Sequence, residues 1–140
     1  MKRKLFLLAL IAGFSIQAQA QTAYQKARSK IEDMGYTISK EMEVNISEGQ
    51  TGYSYKTFYE GLTYIVYAMS EDGDVSDIDI YVYDTSDDEI LKRDTEDDNI
   101  AVVSFTPNRE IEGKVVIKNY KSSDPNYESR CRYIIAYKSE

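Results

Sequence analysis

The chain has no histidine and no tryptophan, and only one cysteine and two prolines among its 140 residues. Without histidine the usual general base near neutral pH is missing, so neither a Ser-His-Asp nor a Cys-His catalytic device can be built. Zinc and copper sites lose their commonest ligand for the same reason. A single cysteine forbids an intrachain disulfide. Its place, Cys131, just ahead of the apolar run Tyr133 to Tyr137, reads as a core or edge filler rather than a reactive thiol. Basic residues are also scarce, 17 against 24 acidic. That balance argues against nucleic acid and anionic lipid as partners, because both are bound through basic patches.

Long hydrophobic runs are absent except at the N-terminus. There "MKRKLFLLALIAGFSIQAQA" sets Lys2, Arg3 and Lys4 before an apolar run and ends in Ala18-Gln19-Ala20, the three regions of a secretory signal peptide. Cleavage is predicted after Ala20, with no cysteine at the site to take a lipid. The mature chain then keeps 14 basic residues against 24 acidic, a net of −10. With no later run near the roughly 20 apolar residues of a bilayer span, the expectation is a periplasmic or secreted protein that does not span the membrane. Residues 21–37 and 38–140 divide into a short helix and one domain.

In that helix, Tyr24, Ala27, Ile31 and Met34 recur at helical spacing from Thr22 to Met34, with Thr22 placed to cap it and Gly35 to end it. After Tyr36 the apolar pattern changes to period two. Strands are predicted near Glu41–Ile46, Gly52–Tyr59, Leu62–Ser70, Asp77–Asp84, Glu89–Arg93, Ile100–Thr106, Lys114–Tyr120 and Arg132–Lys138. A long polar loop is expected over Lys121 to Arg130. No second helix intervenes, so the fold class is mainly β: an antiparallel, jelly-roll-like sandwich of about eight strands with one short amphipathic helix. Alternation sends Ile78, Ile80 and Val82 inward and Asp79, Tyr81 and Tyr83 outward, and it sends Val115 and Ile117 inward and Lys114, Val116 and Lys118 outward. "LTYIVYAMS" is apolar on both faces, which predicts a central strand or one covered by the helix.

Five segments in order, "GLTYIVYAM", "DIDIYVYD", "AVVSFTP", "GKVVIKNY" and "CRYIIAY", resemble the strand motifs of the bacterial pre-peptidase C-terminal (PPC) domain over roughly Met42 to Lys138. The resemblance implies a small β-sandwich that serves secreted peptidases as an accessory module, holding a polymeric or protein substrate. Some members look calcium-stabilised, yet their ligands do not map onto this chain, where the comparable "EGQTGYSY" has one acidic residue. The expectation for these 140 residues is the module without a peptidase.

Between Glu71 and Asp98 stand 13 acidic and two basic residues. If consecutive strands reverse, the loops Glu71–Ser76 and Asp94–Asn99 share one end of the sandwich. Asp72, Asp74, Asp77, Glu96, Asp97 and Asp98 could then supply oxygens to calcium, or simply keep the loops solvated. Asp77 is expected to end the acidic loop and Asp79 to lie on the outer face of the sheet, because an unpaired buried carboxylate is costly. "YVYDTSDD" loosely resembles the Asp-Thr-Gly entrance of aspartic peptidases but lacks the glycine after Asp84. No catalytic residue is assigned and no enzyme is expected. Thirteen tyrosines suggest instead a binding face. Tyr53, Tyr55, Tyr81, Tyr83 and Tyr120 are its candidates, for an extracellular polymer, glycan or protein. A rival expectation is a structural subunit docking through the N-terminal helix.

Overall fold

A computed structural model of the protein describes residues 22–139; the predicted leader lies outside them. The helix, α1, spans Ala23–Asp33. Thr22 Oγ1 accepts from the Gln25 amide at 3.2 Å, and Gln25 Oε1 accepts from the Thr22 amide at 3.1 Å, which closes a capping box. Gly35 follows with φ of 90°, a conformation open to glycine at little cost.

The strands are β1 (Thr37–Ile46), β2 (Thr51–Phe58), β3 (Leu62–Ser70), β4 (Val75–Asp84), β5 (Glu89–Asp94), β6 (Ile100–Phe105), β7 (Ile111–Ser122) and β8 (Ser129–Ser139). They form two four-stranded antiparallel sheets, sheet I in the order β1-β8-β3-β6 and sheet II in the order β2-β7-β4-β5. This interleaving of early and late strands is a jelly roll. The expected fold class is therefore what the chain adopts.

Several boundaries differ from expectation: β7 begins at Ile111 rather than Lys114, and β4 begins at Val75, so that Asp77 lies inside the strand and does not end the acidic loop. β1 begins at Thr37 rather than Glu41, as a half-exposed strand that borders sheet I and so lacks a strong apolar signature. The polar loop expected over Lys121 to Arg130 shrinks to residues 123–128. Ser122 and Ser129, which read as loop, are buried and paired with Val75 and Ile46 in the ladders.

Between the sheets lie Val66, Ile78, Ile80, Val82, Val115 and Ile117, all with no exposed surface. Phe58, Tyr64 and Phe105 close one end of this core in edge-on and stacked contacts. Cys131 is buried in the same core, and burial pushes its thiol up to about 11, so it is an inert filler.

A second, smaller cluster lies outside sheet I. Tyr24 and Ile31 of α1 pack on Ile65, Met69, Ile134 and Ala136. This explains why β3 is apolar on both faces: it lies between β8 and β6, and the helix covers its outer side. Tyr24 also donates to Glu41 Oε1 at 2.6 Å, and its ring carries the Arg132 guanidinium at 3.6 Å. Burial and then Glu41 hold the Tyr24 phenol well above its ordinary pKa. Tyr24 and Ile31 of the α1 stripe thus face the helix's own sheet, whereas Met34 of the same stripe, just past the helix, is 46% exposed.

Candidate ligand-binding face

Among the described residues, no helix covers the outer face of sheet II in this way. Its register brings side chains of one parity into rows. Tyr53 of β2 lies opposite Val116 of β7, Val116 opposite Tyr81 of β4, and Tyr81 opposite Arg93 of β5. The next row runs Tyr55, Lys114, Tyr83 and Ile90, and the row on the other side Thr51, Lys118 and Asp79. Four strands about 4.8 Å apart make this a surface roughly 15 Å wide. Tyr120, two residues beyond Lys118, continues the same side of β7.

All five tyrosines expected to bind therefore share one face, although they come from three strands distant in sequence. Tyr53, Tyr55 and Tyr120 are 55%, 60% and 55% exposed, while Tyr81 and Tyr83 are half-buried. The Tyr81 and Tyr83 rings stack with centroids 6.3 Å apart and planes inclined at 24°. Tyr53 and Tyr55 meet edge to face at 5.8 Å. Lys114 Nζ lies 4.5 Å from the centre of the Tyr53 ring and Lys118 Nζ 5.2 Å from that of Tyr120, within cation–π range. The face thus offers flat apolar rings, phenolic hydroxyls and ammonium groups together. The lysines were legible as outward residues of β7, but their place among the tyrosines follows only from the register.

The acidic candidates fall into separate settings. Asp72 Oδ2 accepts from the Arg130 amide at 2.6 Å, and Asp74 Oδ2 accepts from Ser129 Oγ at 2.5 Å; both carboxylates tie the β3–β4 loop to the start of β8. Gly73 to Ser76 do share a cleft with Asp98 and Asn99, as the alternation of loops required, but Lys121 stands in that cleft. Asp77 lies with Asp79, Asp97 and Asp98. Glu96 is exposed on the β5–β6 loop, where its amide donates to Asp94 Oδ1 at 3.1 Å.

Asp79 corrects one expectation. It does lie opposite the inward Ile78, Ile80 and Val82, yet it is only 3% exposed, and Asp77 only 5%. β5 pairs with β4 only from Ile80 to Asp84. Beyond that point the β5–β6 loop runs alongside instead, the Asp98 carbonyl accepting from the Ile78 amide at 2.9 Å. Alternation assigns a face of a sheet, not whether a later loop covers it. Burial, then the neighbouring Asp79 and Asp97, push Asp77 up to about 6. Burial also raises Asp79 above the ordinary carboxylate value, with hydrogen bonds from Asp77 and Tyr81, and then Lys118, pulling the other way.

At the far end of β4, Asp84 behaves oppositely. Its Oδ1 accepts from the Ser86 hydroxyl at 2.7 Å and the Ser86 amide at 2.9 Å, and Arg109 Nη2 donates to Oδ2 at 2.5 Å. The Ser86 contacts and then Arg109 hold its pKa low. Its lone pairs are engaged in a turn and with Arg109, while Asp87 and Asp88 of "YVYDTSDD" are exposed on the β4–β5 turn.

No protein-family model and no curated protein matches the sequence. Among solved structures, the chain is similar to PliG of Aeromonas hydrophila, a periplasmic inhibitor of g-type lysozyme. The two share 11% identity and a TM-score of 0.52, over 75% of this chain and 90% of that one. Looser matches are a Bacillus endospore appendage, with 12% identity, a TM-score of 0.42 and 74% and 89% of the two chains covered, and a family 29 carbohydrate-binding module, with 16%, 0.36, and 75% and 76%. At such identity the likeness to the lysozyme inhibitor is one of fold.

Proposed function

We propose that the protein is an exported, non-enzymatic binding module that holds an extracellular polymer or an envelope protein against the outer face of sheet II. The observation that carries this reading is the collection of Tyr53, Tyr55, Tyr81, Tyr83 and Tyr120 on an outer sheet face that no helix among the described residues covers. Tyrosine gives large contact area at low entropic cost, and stacked rings about two strand steps apart suit an extended peptide or a glycan. A non-catalytic role is supported by the absence of histidine, the burial of Cys131 and the engagement of Asp84 in a turn. Export is supported by the leader-like N-terminus. The fold it shares with a periplasmic lysozyme inhibitor makes g-type lysozyme a sensible member of the probe panel. The PPC resemblance makes fibrous proteins another.

The test is retention of the mature protein on insoluble cell envelope, peptidoglycan, a glycan array, fibrous proteins and g-type lysozyme. The double variant Tyr53→Ala/Tyr55→Ala is compared with the native chain. Loss of retention by the variant, with its unfolding curve unchanged, supports the reading. Equal retention of both proteins removes these tyrosines from the site.

A further inference from the structure

Asp77 and Asp79 remain unexplained by a tyrosine platform. Each is more than nine-tenths buried, and Oδ1 of each has no hydrogen-bond partner. The Tyr81 hydroxyl reaches Asp79 Oδ2 at 3.4 Å, and the Asp77 carboxyl lies within hydrogen-bond reach of Asp79 when one of the pair carries a proton. The two side chains stand against each other on one side of β4, with Asp97 and Asp98 of the β5–β6 loop bearing on Asp77 and Asp94 bearing on Asp79. Among the described residues the cation that bears on them is Lys118, the cross-strand neighbour of Asp79. Lys121, opposite Asp77, is exposed. Anionic oxygens removed from water without partners cost several kcal/mol unless a counter-charge satisfies them.

We propose that a divalent cation of the calcium class binds between Asp77 and Asp79 on β4 and the β5–β6 loop, with Asp97 or Asp98 as the third carboxylate. The strand fixes two ligands and the loop brings the remainder. Among the described residues no three acidic side chains already stand at metal spacing, so binding draws the loop carboxylate onto the strand pair. The donors are hard oxygens, and histidine and an accessible thiolate are lacking, which disfavours zinc and copper. Calcium accepts six to eight oxygens in irregular geometry, including loop carbonyls, at about 2.3–2.6 Å; magnesium demands a near-ideal octahedron and keeps its waters. The site borders the tyrosine face through Tyr81, and an ion there orders that border.

The experiment is thermal unfolding of the mature protein at neutral pH, first in EGTA and then across micromolar to millimolar calcium, with magnesium as control. Isothermal titration counts the ions. The expected result is one calcium per chain and a melting temperature that climbs with the logarithm of excess calcium, by about 5 °C or more at a hundredfold excess over Kd. Asp79→Asn should abolish the climb without lowering the melting temperature in EGTA, because the amide removes one buried charge. Asp72→Asn should keep the climb, since Asp72 belongs to the β8 anchor. A flat melting temperature in the native protein overturns the proposal and leaves the pair neutralised by a proton. An equal climb in Asp79→Asn, or with magnesium, overturns it as well.

Discussion

The outer faces of the two sheets began with the same problem and met it differently. Sheet I presents Ile65, Met69, Ile134 and Ala136, and α1 lies over them with Tyr24 and Ile31. Sheet II presents Tyr53, Tyr55, Tyr83, Tyr120 and the stems of Lys114 and Lys118, and no helix among the described residues lies over them. Aliphatic side chains gain most from burial, although Val102 at the β6 edge of the same face stays 41% exposed, whereas tyrosine and lysine carry a polar tip on an apolar body. The covered face is thus part of the fold, and the bare face is free to meet a partner.

Breaking the cover should have the largest effect. Ile31→Ala removes the buried centre of the helix contact and should destabilise the protein by about 3 kcal/mol, read as a lower urea midpoint. A change below about 1 kcal/mol would mean that α1 only rests on the sheet.

The acidic end of sheet II should respond to pH in a direction set by Asp77. Its folded pKa is raised from 3.8 to about 6, so its contribution is fully present below about pH 3.8 and is lost as pH rises through about 6. Asp84, with its pKa lowered, contributes in the opposite sense and is lost as pH falls below the usual carboxylate range. In the presence of EGTA, stability should therefore peak in mild acid. Asp77→Asn should remove the decline above pH 6 and leave the acid limb in place, as followed by urea midpoints across the pH range.

Smaller still, Tyr24→Phe deletes the hydroxyl that donates to Glu41 and should cost about 1 kcal/mol, because the carboxylate keeps Arg28 at 2.8 Å as a partner. The smallest stability effect belongs to the bare face. Tyr53→Ala and Tyr55→Ala should each shift stability by about 0.5 kcal/mol or less, while envelope retention falls sharply. A large loss of stability there would make these rings structural and erase the distinction between the two faces.

Most of this contrast was legible before the fold was seen. "LTYIVYAMS" is apolar at successive positions and so demanded cover on both sides. "DIDIYVYD" sorted its isoleucines from its tyrosines by parity alone. What parity does not carry is adjacency. The order β2-β7-β4 brings Tyr53, Tyr120 and Tyr81 together across long stretches of chain, and only the closing of the jelly roll sets that order. Burial of Asp77 and Asp79 was hidden for a related reason. A strand pattern describes two faces of a sheet, while the β5–β6 loop that closes over them follows β5 and is held by one backbone hydrogen bond to Ile78. Ser122 and Ser129 misled in the opposite direction, since polar residues that pair inside a ladder look like loop in sequence.

The most direct test of the central claim is oxidative footprinting of the tyrosines in the native protein, free and bound to insoluble envelope material. Free, Tyr53, Tyr55 and Tyr120 should be modified readily and Tyr24, Tyr64 and Tyr133 hardly at all, as their exposure requires. Bound, protection should fall on Tyr53, Tyr55 and Tyr120. Protection centred instead on α1 and β6, with the three sheet II tyrosines still reactive, would contradict the account.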